Sequence, residues 1–233
     1  MIYIGLDDTD NHESRGTGRL AREIAADLAK EYPVLGVTRH QLLVDSRIPY
    51  TSHNSSAAIL IDVPAGLPLE PIFERVRALV EADPVPGSDP GLCVATESAA
   101  RAVTDFGIRA QKELVDQVQA RFLALSSGIL LAGLGGTQDG VIGALAGVGL
   151  AVTGNDGRFL LIGRSRDLQG VQPVRAILDC GIADVRTMDG RSLDQGLVDT
   201  EGKLRPAYRE GRAILFVARH ESDPSLWMPV KLD

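Results

Sequence analysis

Aromatic residues are scarce: Phe, Tyr and Trp make up 4% of the 233 residues. A core must therefore come from Leu, Val, Ile and Ala, and the 44% hydrophobic content is enough to exclude general disorder. Cysteine is nearly absent. Cys93 and Cys180 have no CxxC spacing and no His close in sequence, which excludes a cysteine–histidine metal site. They read as small buried hydrophobes in a reducing compartment. No apolar run is long enough to span a bilayer, and no charged segment precedes a short apolar one. The expectation is a cytoplasmic protein without a membrane partner. Basic charge is short as well: 24 Lys and Arg stand against 31 Asp and Glu, a formal net charge of −7. Phosphate binding needs a basic footprint, so this balance argues against a chain coated in nucleic acid while leaving room for a local basic patch.

What is present reads as alternating strands and helices. Ile2, Ile4 and Leu6 begin a strand over 2–7. Leu20, Ile24 and Leu28 recur at i, i+4 and i+8, one apolar face of a helix ending near Tyr32 and Pro33, with Ser14 or Thr17 as its cap. Strands follow over 34–44 and 57–63. Pro68 opens a second helix with Leu69, Ile72, Phe73, Val76, Leu79 and Val80 on one face. DPVPGSDPG (83–91) is a loop, and 92–95 is a short strand. This β-α-β-β-α-β order is the ferredoxin-like pattern. Further on, Leu114, Val118, Phe122 and Leu125 mark an amphipathic helix over 110–125, ILLAG (129–133) a buried strand, 174–178 a helical turn, and 159–163 and 212–220 two more strands. The expected class is α+β, with a ferredoxin-like unit over 1–98 and a second α+β unit over 99–233 packed against it.

Four stretches carry candidate chemistry. In IGLDDTD, Asp7, Asp8 and Asp10 follow a strand directly. A helix cap needs one carboxylate. Three within four positions repel one another and suit a hard cation such as Mg²⁺. In GLGGTQDGVIGALAGVG (133–149), a glycine-rich loop sits between a strand and an apolar helix, where backbone N–H groups can approach phosphate. Its spacing is neither a P-loop nor a dinucleotide fingerprint. Gly143, Gly147 and Gly149 suit close packing. For Gly133, Gly135 and Gly136, phosphate contact and a tight turn both stay open. Asp139 at the helix start competes with a bound anion. RIPYTSHNSSA (47–57) offers Thr51, His53 and Asn54 as substrate contacts, and the basic run KLRPAYREGR (203–212) offers arginines for a triphosphate.

IGLDDTD, RIPYTSHNSSA, DPGL, DGVIGALAGVG and FLLIGRSR occur in the order seen in the archaeal agmatinylcytidine synthetase family, which the chain resembles over most of residues 1–220. Ile4, Gly5, Asp7, Asp8, Thr9 and Asp10 match the first motif. Ile48, Pro49, Thr51 and Asn54 match the second, while Tyr50, Ser52 and His53 depart from it. Gly140, Ile142, Gly143, Ala144, Leu145 and Ala146 match the glycine stretch, with Asp139 where an Arg is expected. The resemblance implies a kinase-like second half that uses ATP and Mg²⁺ to activate a cytidine of an isoleucine tRNA, which agmatine then attacks. It makes Asp7, Asp8 and Asp10 the candidates for metal and catalysis. Gly133, Gly135, Gly136, Thr137, Gly140 and Gly143 become candidates for the nucleotide. The family's tRNA-binding OB-fold and zinc ribbon are not expected here, since the sequence has no CxxC pair. With the net charge and the missing motif Lys and Arg, this favours an unidentified small-molecule substrate over tRNA. The expected function is an ATP- and Mg²⁺-dependent kinase or amine-forming ligase. The alternatives are a non-catalytic nucleotide-binding regulatory protein and a metal-dependent phosphatase, and a homo-oligomer is compatible with either.

Overall fold

The computed structural model describes residues 1–11, 13, 14, 16–48 and 53–232. The chain forms two compact units, Met1–Thr153 and Gly154–Asp233. The mixed α+β class is as expected. Residue 98, the expected division, lies in a helix of the first unit.

That first unit runs β1 (Ile2–Asp7), α1 (Thr17–Leu28), β2 (Val34–Gln41), β3 (Ser55–Ile61), α2 (Glu70–Glu81) and β4 (Gly91–Thr96). It continues with α3 (Glu97–Ala102), α4 (Thr104–Ala110), α5 (Gln117–Ser127), β5 (Leu130–Gly133) and α6 (Gly140–Ala151). Its strands lie in the order β5-β4-β1-β3-β2, every neighbouring pair antiparallel. In β1, Ile2, Ile4 and Leu6 point to one face of the sheet, and Tyr3, Gly5 and Asp7 to the other. Both faces are covered, so β1 is buried along nearly its whole length.

Helix α6 covers the Gly5 face. Ala, Leu and Val favour or tolerate the helix, while its four glycines weaken it by roughly 0.5–1 kcal/mol each. Tertiary burial overrides that cost: every residue of α6 except Ile142 is buried. The glycines let backbone meet backbone. A Cβ on Gly5 would overlap the carbonyl oxygen of Ala144, and a Cβ on Gly91 in β4 would overlap the Gly140 carbonyl. On the other side of α6, a Cβ on Gly107 of α4 would crowd the Ala146 carbonyl.

The helix expected over 110–125 starts seven residues later, at Gln117, and runs to Ser127. α4 ends at Ala110, and α5 begins only after Asp116, whose carboxylate accepts the Gln119 N–H at 2.8 Å. Its apolar face is also turned the other way. Ala120 and Ala124 are buried, whereas Val118, Phe122 and Leu125 are 78%, 68% and 84% exposed. α5 packs against the small-residue helix α6, and alanines fit that close approach where large side chains do not. Of ILLAG, Leu130–Gly133 form β5, a half-buried edge strand in place of the buried one expected, and Ile129 before it is buried.

The second unit contains β6 (Arg158–Leu161), β7 (Val171–Pro173), α7 (Val174–Asp179), β8 (Asp184–Thr187), β9 (Leu197–Asp199), β10 (Ala207–Arg209), β11 (Arg212–Arg219) and β12 (Leu226–Pro229). Strands follow the order β6-β10-β11-β12-β9-β7, and β8 runs parallel to β11. Val174, Ile177, Val185, Val198, Leu215, Val217 and Trp227 share its core. No helix among the described residues is long and apolar enough to cross a membrane.

The contact between α6 and the sheet makes a direct prediction. Gly91→Ala drives a methyl into the Gly140 carbonyl and should destabilise the chain by about 3 kcal/mol. Gly66→Ala, in a turn with open space around it and φ of 88°, should cost only about 1 kcal/mol. Urea denaturation of both variants measures the difference.

Candidate functional site

A cavity of about 280 Å³ opens at the C-terminal end of β1, and the first unit alone lines it. Asp7, Asp8 and Asp10 line it with Thr17 from α1, Arg47, His53 and Asn54 from the β2–β3 connection, and Asp139, Gly140, Ile142 and Gly143 from the start of α6.

The placement of Asp7 follows from β1. Two residues after Gly5, it points to the same face, towards α6. There it abuts Gly143, where a Cβ would overlap its carboxylate. Asp8 then turns the chain, with φ of 49°, a left-handed conformation that Asp tolerates better than most residues. The loop is tied to the first turn of α1 by one hydroxyl. Thr17 Oγ1 accepts from the Thr9 N–H at 3.3 Å and the Thr9 hydroxyl at 3.1 Å, and donates to Asp10 Oδ1 at 3.4 Å. Thr17 therefore organises the carboxylate loop rather than capping α1, whose N-cap is Gly16.

Burial and like charge raise two of these carboxyl groups. Asp7 is held well above the usual range by burial first, then by Asp8 and Asp10, against the Asp8 backbone N–H. Asp8 is pushed up to about 6 by burial first, then by Asp89 and Asp10, with Asp139 adding to them and the Asp89 backbone N–H opposing. Arg47, the arginine in the lining, is already engaged, since it forks onto Asp45 at 2.8 Å. Among the described residues no group of three or more His, Cys, Asp or Glu is gathered closely enough to hold a metal alone. Asp7, Asp8 and Asp10 share a cavity but do not form a closed cage. Mg²⁺ usually takes one or two carboxylates with substrate phosphates and waters, and a strained, unneutralised carboxylate pair fits that use.

The glycine-rich stretch divides in two. Gly140 and Gly143 line the cavity; Gly133, Gly135, Gly136 and Thr137 do not. Gly133 ends β5, and Gly135, Gly136 and Thr137 form a tight turn organised by Asp89, a residue that sequence reasoning passed over as part of a loop. The Asp89 carboxylate accepts the Thr137 N–H at 2.9 Å and also the Thr137 hydroxyl, and a Cβ on Gly136 would overlap it. Thr137 and Gln117 in turn bond to Asp139, at 3.1 and 2.6 Å. The N–H groups of Gly140, Val141 and Ile142 bond to the carbonyls of Asp89, Gln138 and Asp139. The first donors of α6 are thus engaged within the chain, and the DPG turn ahead of β4 was the sequence signal for the residue that engages them.

Of the substrate candidates, His53 and Asn54 line the cavity, while Thr51 lies outside the described residues. Asn54 is a fixed wall: its amide donates to the Leu43 carbonyl at 2.7 Å, and its own carbonyl accepts the Leu42 N–H at 2.9 Å. The basic run 203–212 belongs to the second unit. Its Arg209 donates to the Gly157 and Tyr208 carbonyls, and Arg212 pairs with Glu210 at 2.6 Å.

The raised Asp8 value has a consequence for stability. Folded Asp8 titrates near 6 and unfolded Asp8 near 3.8, so the folded chain holds the extra proton between those values. This contribution is full below about pH 4 and is lost as pH rises through 6. Asn keeps the shape and the left-handed turn without the charge. Asp8→Asn should stabilise the metal-free chain at pH 7 by on the order of 1 kcal/mol, and the gain should vanish near pH 3.5. Thermal melts across this range check the sign.

No family model and no curated protein matches the sequence. Solved structures do. Apo TiaS, the tRNAIle2 agmatidine synthetase, is similar with TM-score 0.55 and 23% identity, covering 64% of this chain and 35% of that one. The TiaS–tRNA(Ile2)–ATP complex is similar with TM-score 0.56 and 25% identity, covering 64% and 36%. The complex with tRNA(Ile2), AMPCPP and agmatine is similar with TM-score 0.55 and 24% identity over the same shares. The chain spans about a third of the length of these structures. The resemblance read in the sequence is therefore matched in three dimensions over 64% of the chain, and the chain is a partial TiaS-like homologue.

Proposed function

We propose that the cavity of the first unit is an ATP- and Mg²⁺-dependent phosphoryl-transfer site of the ligase or kinase kind. The observation that carries this reading is the meeting of Asp7, Asp8 and Asp10 with Gly140 and Gly143 on one cavity, within a chain similar to structures that hold ATP or AMPCPP. The order β4-β1-β3-β2 supports reading residues 1–98 as a ferredoxin-like module that brings the carboxylates. Residues from 99 onward, read as the kinase-like part, bring the glycine-rich stretch to it.

Phosphoryl transfer needs positioning and charge neutralisation more than a strong nucleophile. Mg²⁺ bound by Asp7 and Asp10 would neutralise phosphate oxygens. Asp8, titrating near neutrality, is suited to take a proton from the attacking group. Gly140 and Gly143 line the cavity and let Asp89, Gly91 and Asp7 lie directly against the start of α6, beside the nucleotide we place there. Gly136 and Thr137 hold that start in place through Asp89 and Asp139, and Gly133 and Gly135 are assigned to the same nucleotide loop. His53, Asn54 and Thr51 lie on the segment assigned to the second substrate.

The sequence favours a small molecule as that substrate. Its expectation against tRNA finds no support in the comparisons, because the similar structures include complexes with tRNA(Ile2). A substrate panel must therefore contain tRNA beside small amines and nucleosides.

Two outcomes are expected. ATP with Mg²⁺ should raise the melting temperature of the wild type, by an amount that grows with the logarithm of ligand concentration above Kd. Asp8→Asn and Asp10→Asn should lower ATP turnover at least ~100-fold while the fold, read by circular dichroism, is kept. Binding without turnover on any substrate would leave a nucleotide-binding protein and remove the catalytic reading. No thermal shift with ATP and Mg²⁺ would remove both.

A further inference from the structure

Helix α5 is built the wrong way round for a helix of an isolated chain. Its small residues, Ala120 and Ala124, face the domain, and its large apolar residues, Val118, Phe122 and Leu125, face outward. Spacing at i, i+4 and i+7 makes these three one stripe along the helix. Leu114, in the connection before α5, lies on the cavity wall and is no part of the stripe. Scattered apolar residues on a surface need no explanation, but a continuous stripe marks an interface.

We propose that this stripe is an interface between two copies of the chain, with α5 packed antiparallel against α5 of the second copy. Three observations select this occupant. The first is area. From their fractional exposures, the three side chains offer about 400 Å² per copy, or about 800 Å² for a pair, the size of a weak, reversible association. An 11-residue helix, about 16 Å long, is covered end to end by a second copy of itself.

The second is self-complementarity. A two-fold axis beside residues 121 and 122 sets Val118 against Leu125 of the second copy and brings the two Phe122 rings together. Gln119 and Ser126 border the stripe and form a polar rim.

The third is charge. The one basic residue of α5, Arg121, is turned to Gln138 at 2.7 Å and Gln117 at 3.4 Å, so no like charges oppose each other across the pair. The same fact counts against other occupants. Nucleic acid requires cations along the face, and a membrane-surface helix carries Lys and Arg beside its apolar stripe. The two described arginines beside the α5 stripe, Arg109 and Arg121, are both engaged within the chain, Arg109 by Glu113 and by Gln119 at 3.2 Å, in a chain of net charge −7.

The test is sedimentation equilibrium of the full chain from about 1 to about 300 µM, the range appropriate to an interface of this size. The wild type should pass from its monomer mass of 24.8 kDa towards twice that value. Phe122→Glu should remain a monomer throughout, with unchanged circular dichroism. Val118→Ser with Leu125→Ser should do the same by a milder route. Under mild copper-catalysed air oxidation, Phe122→Cys should cross-link into a covalent dimer, while Met188→Cys, at an exposed position in the second unit, should not. A wild type monomeric at about 300 µM would overturn the proposal, leaving the stripe to a different partner. Association that survives Phe122→Glu, or equal cross-linking of the two cysteine variants, would overturn it as well.

Discussion

Helix α6 lies so close to β1 and β4 that backbone, rather than side chains, forms the contact. Gly5 admits the carbonyl of Ala144, and Gly91 admits that of Gly140. Interiors are packed as densely as organic crystals, so a separation set by glycine on one side is transmitted to every neighbour. Because α6 is this low on the sheet, Asp7 reaches its first turn against Gly143. α4 approaches from the other side through Gly107, and α5 must present alanines. The cavity is the gap left where α6 starts, and Ile142, the one α6 residue not buried, forms part of its wall.

The carboxylates are the counterweight to this packing. Burial and mutual repulsion hold Asp7 and Asp8 above the ordinary carboxylate range, and Asp8 stands in a left-handed conformation. Each of these features opposes folding of the ligand-free chain. Strain and shifted pKa values held in place by a rigid scaffold are characteristic of functional sites. Thr17 and Asp89 fix the two sides of the gap. One ties the carboxylate loop to α1 and the other ties the glycine turn to β4, so the site rests on elements of the scaffold rather than on the loops alone.

The first unit was largely readable from local pattern. Alternation in 2–7 and the i, i+4, i+8 recurrence of Leu20, Ile24 and Leu28 are short-range signals, and both elements form where they point. The carboxylate cluster was legible as well, because three like charges in four positions have no common structural purpose. Asp89 was not. Its partners Thr137 and Gly140 are about 50 positions away in sequence, and a DPG turn reads the same with or without them. The second unit was less legible for a related reason. β7, β9 and β10 are three residues each, too short for any period to emerge.

Helix α5 shows most plainly where local pattern stops. The recurrence of Val118, Phe122 and Leu125 specified a helix and one apolar stripe on it, because side-chain direction along a helix depends only on spacing. Which way that stripe would face depended on its neighbours. α6, pressed onto the sheet by its glycines, accepts only Ala120 and Ala124, and the large residues are turned outward. The glycine stretch divides in the same way: its composition was enough for a close approach of backbone. Only the tertiary packing decided that Gly91, Asp7 and Asp89 would be what approached, since those contacts join residues roughly fifty or more positions apart.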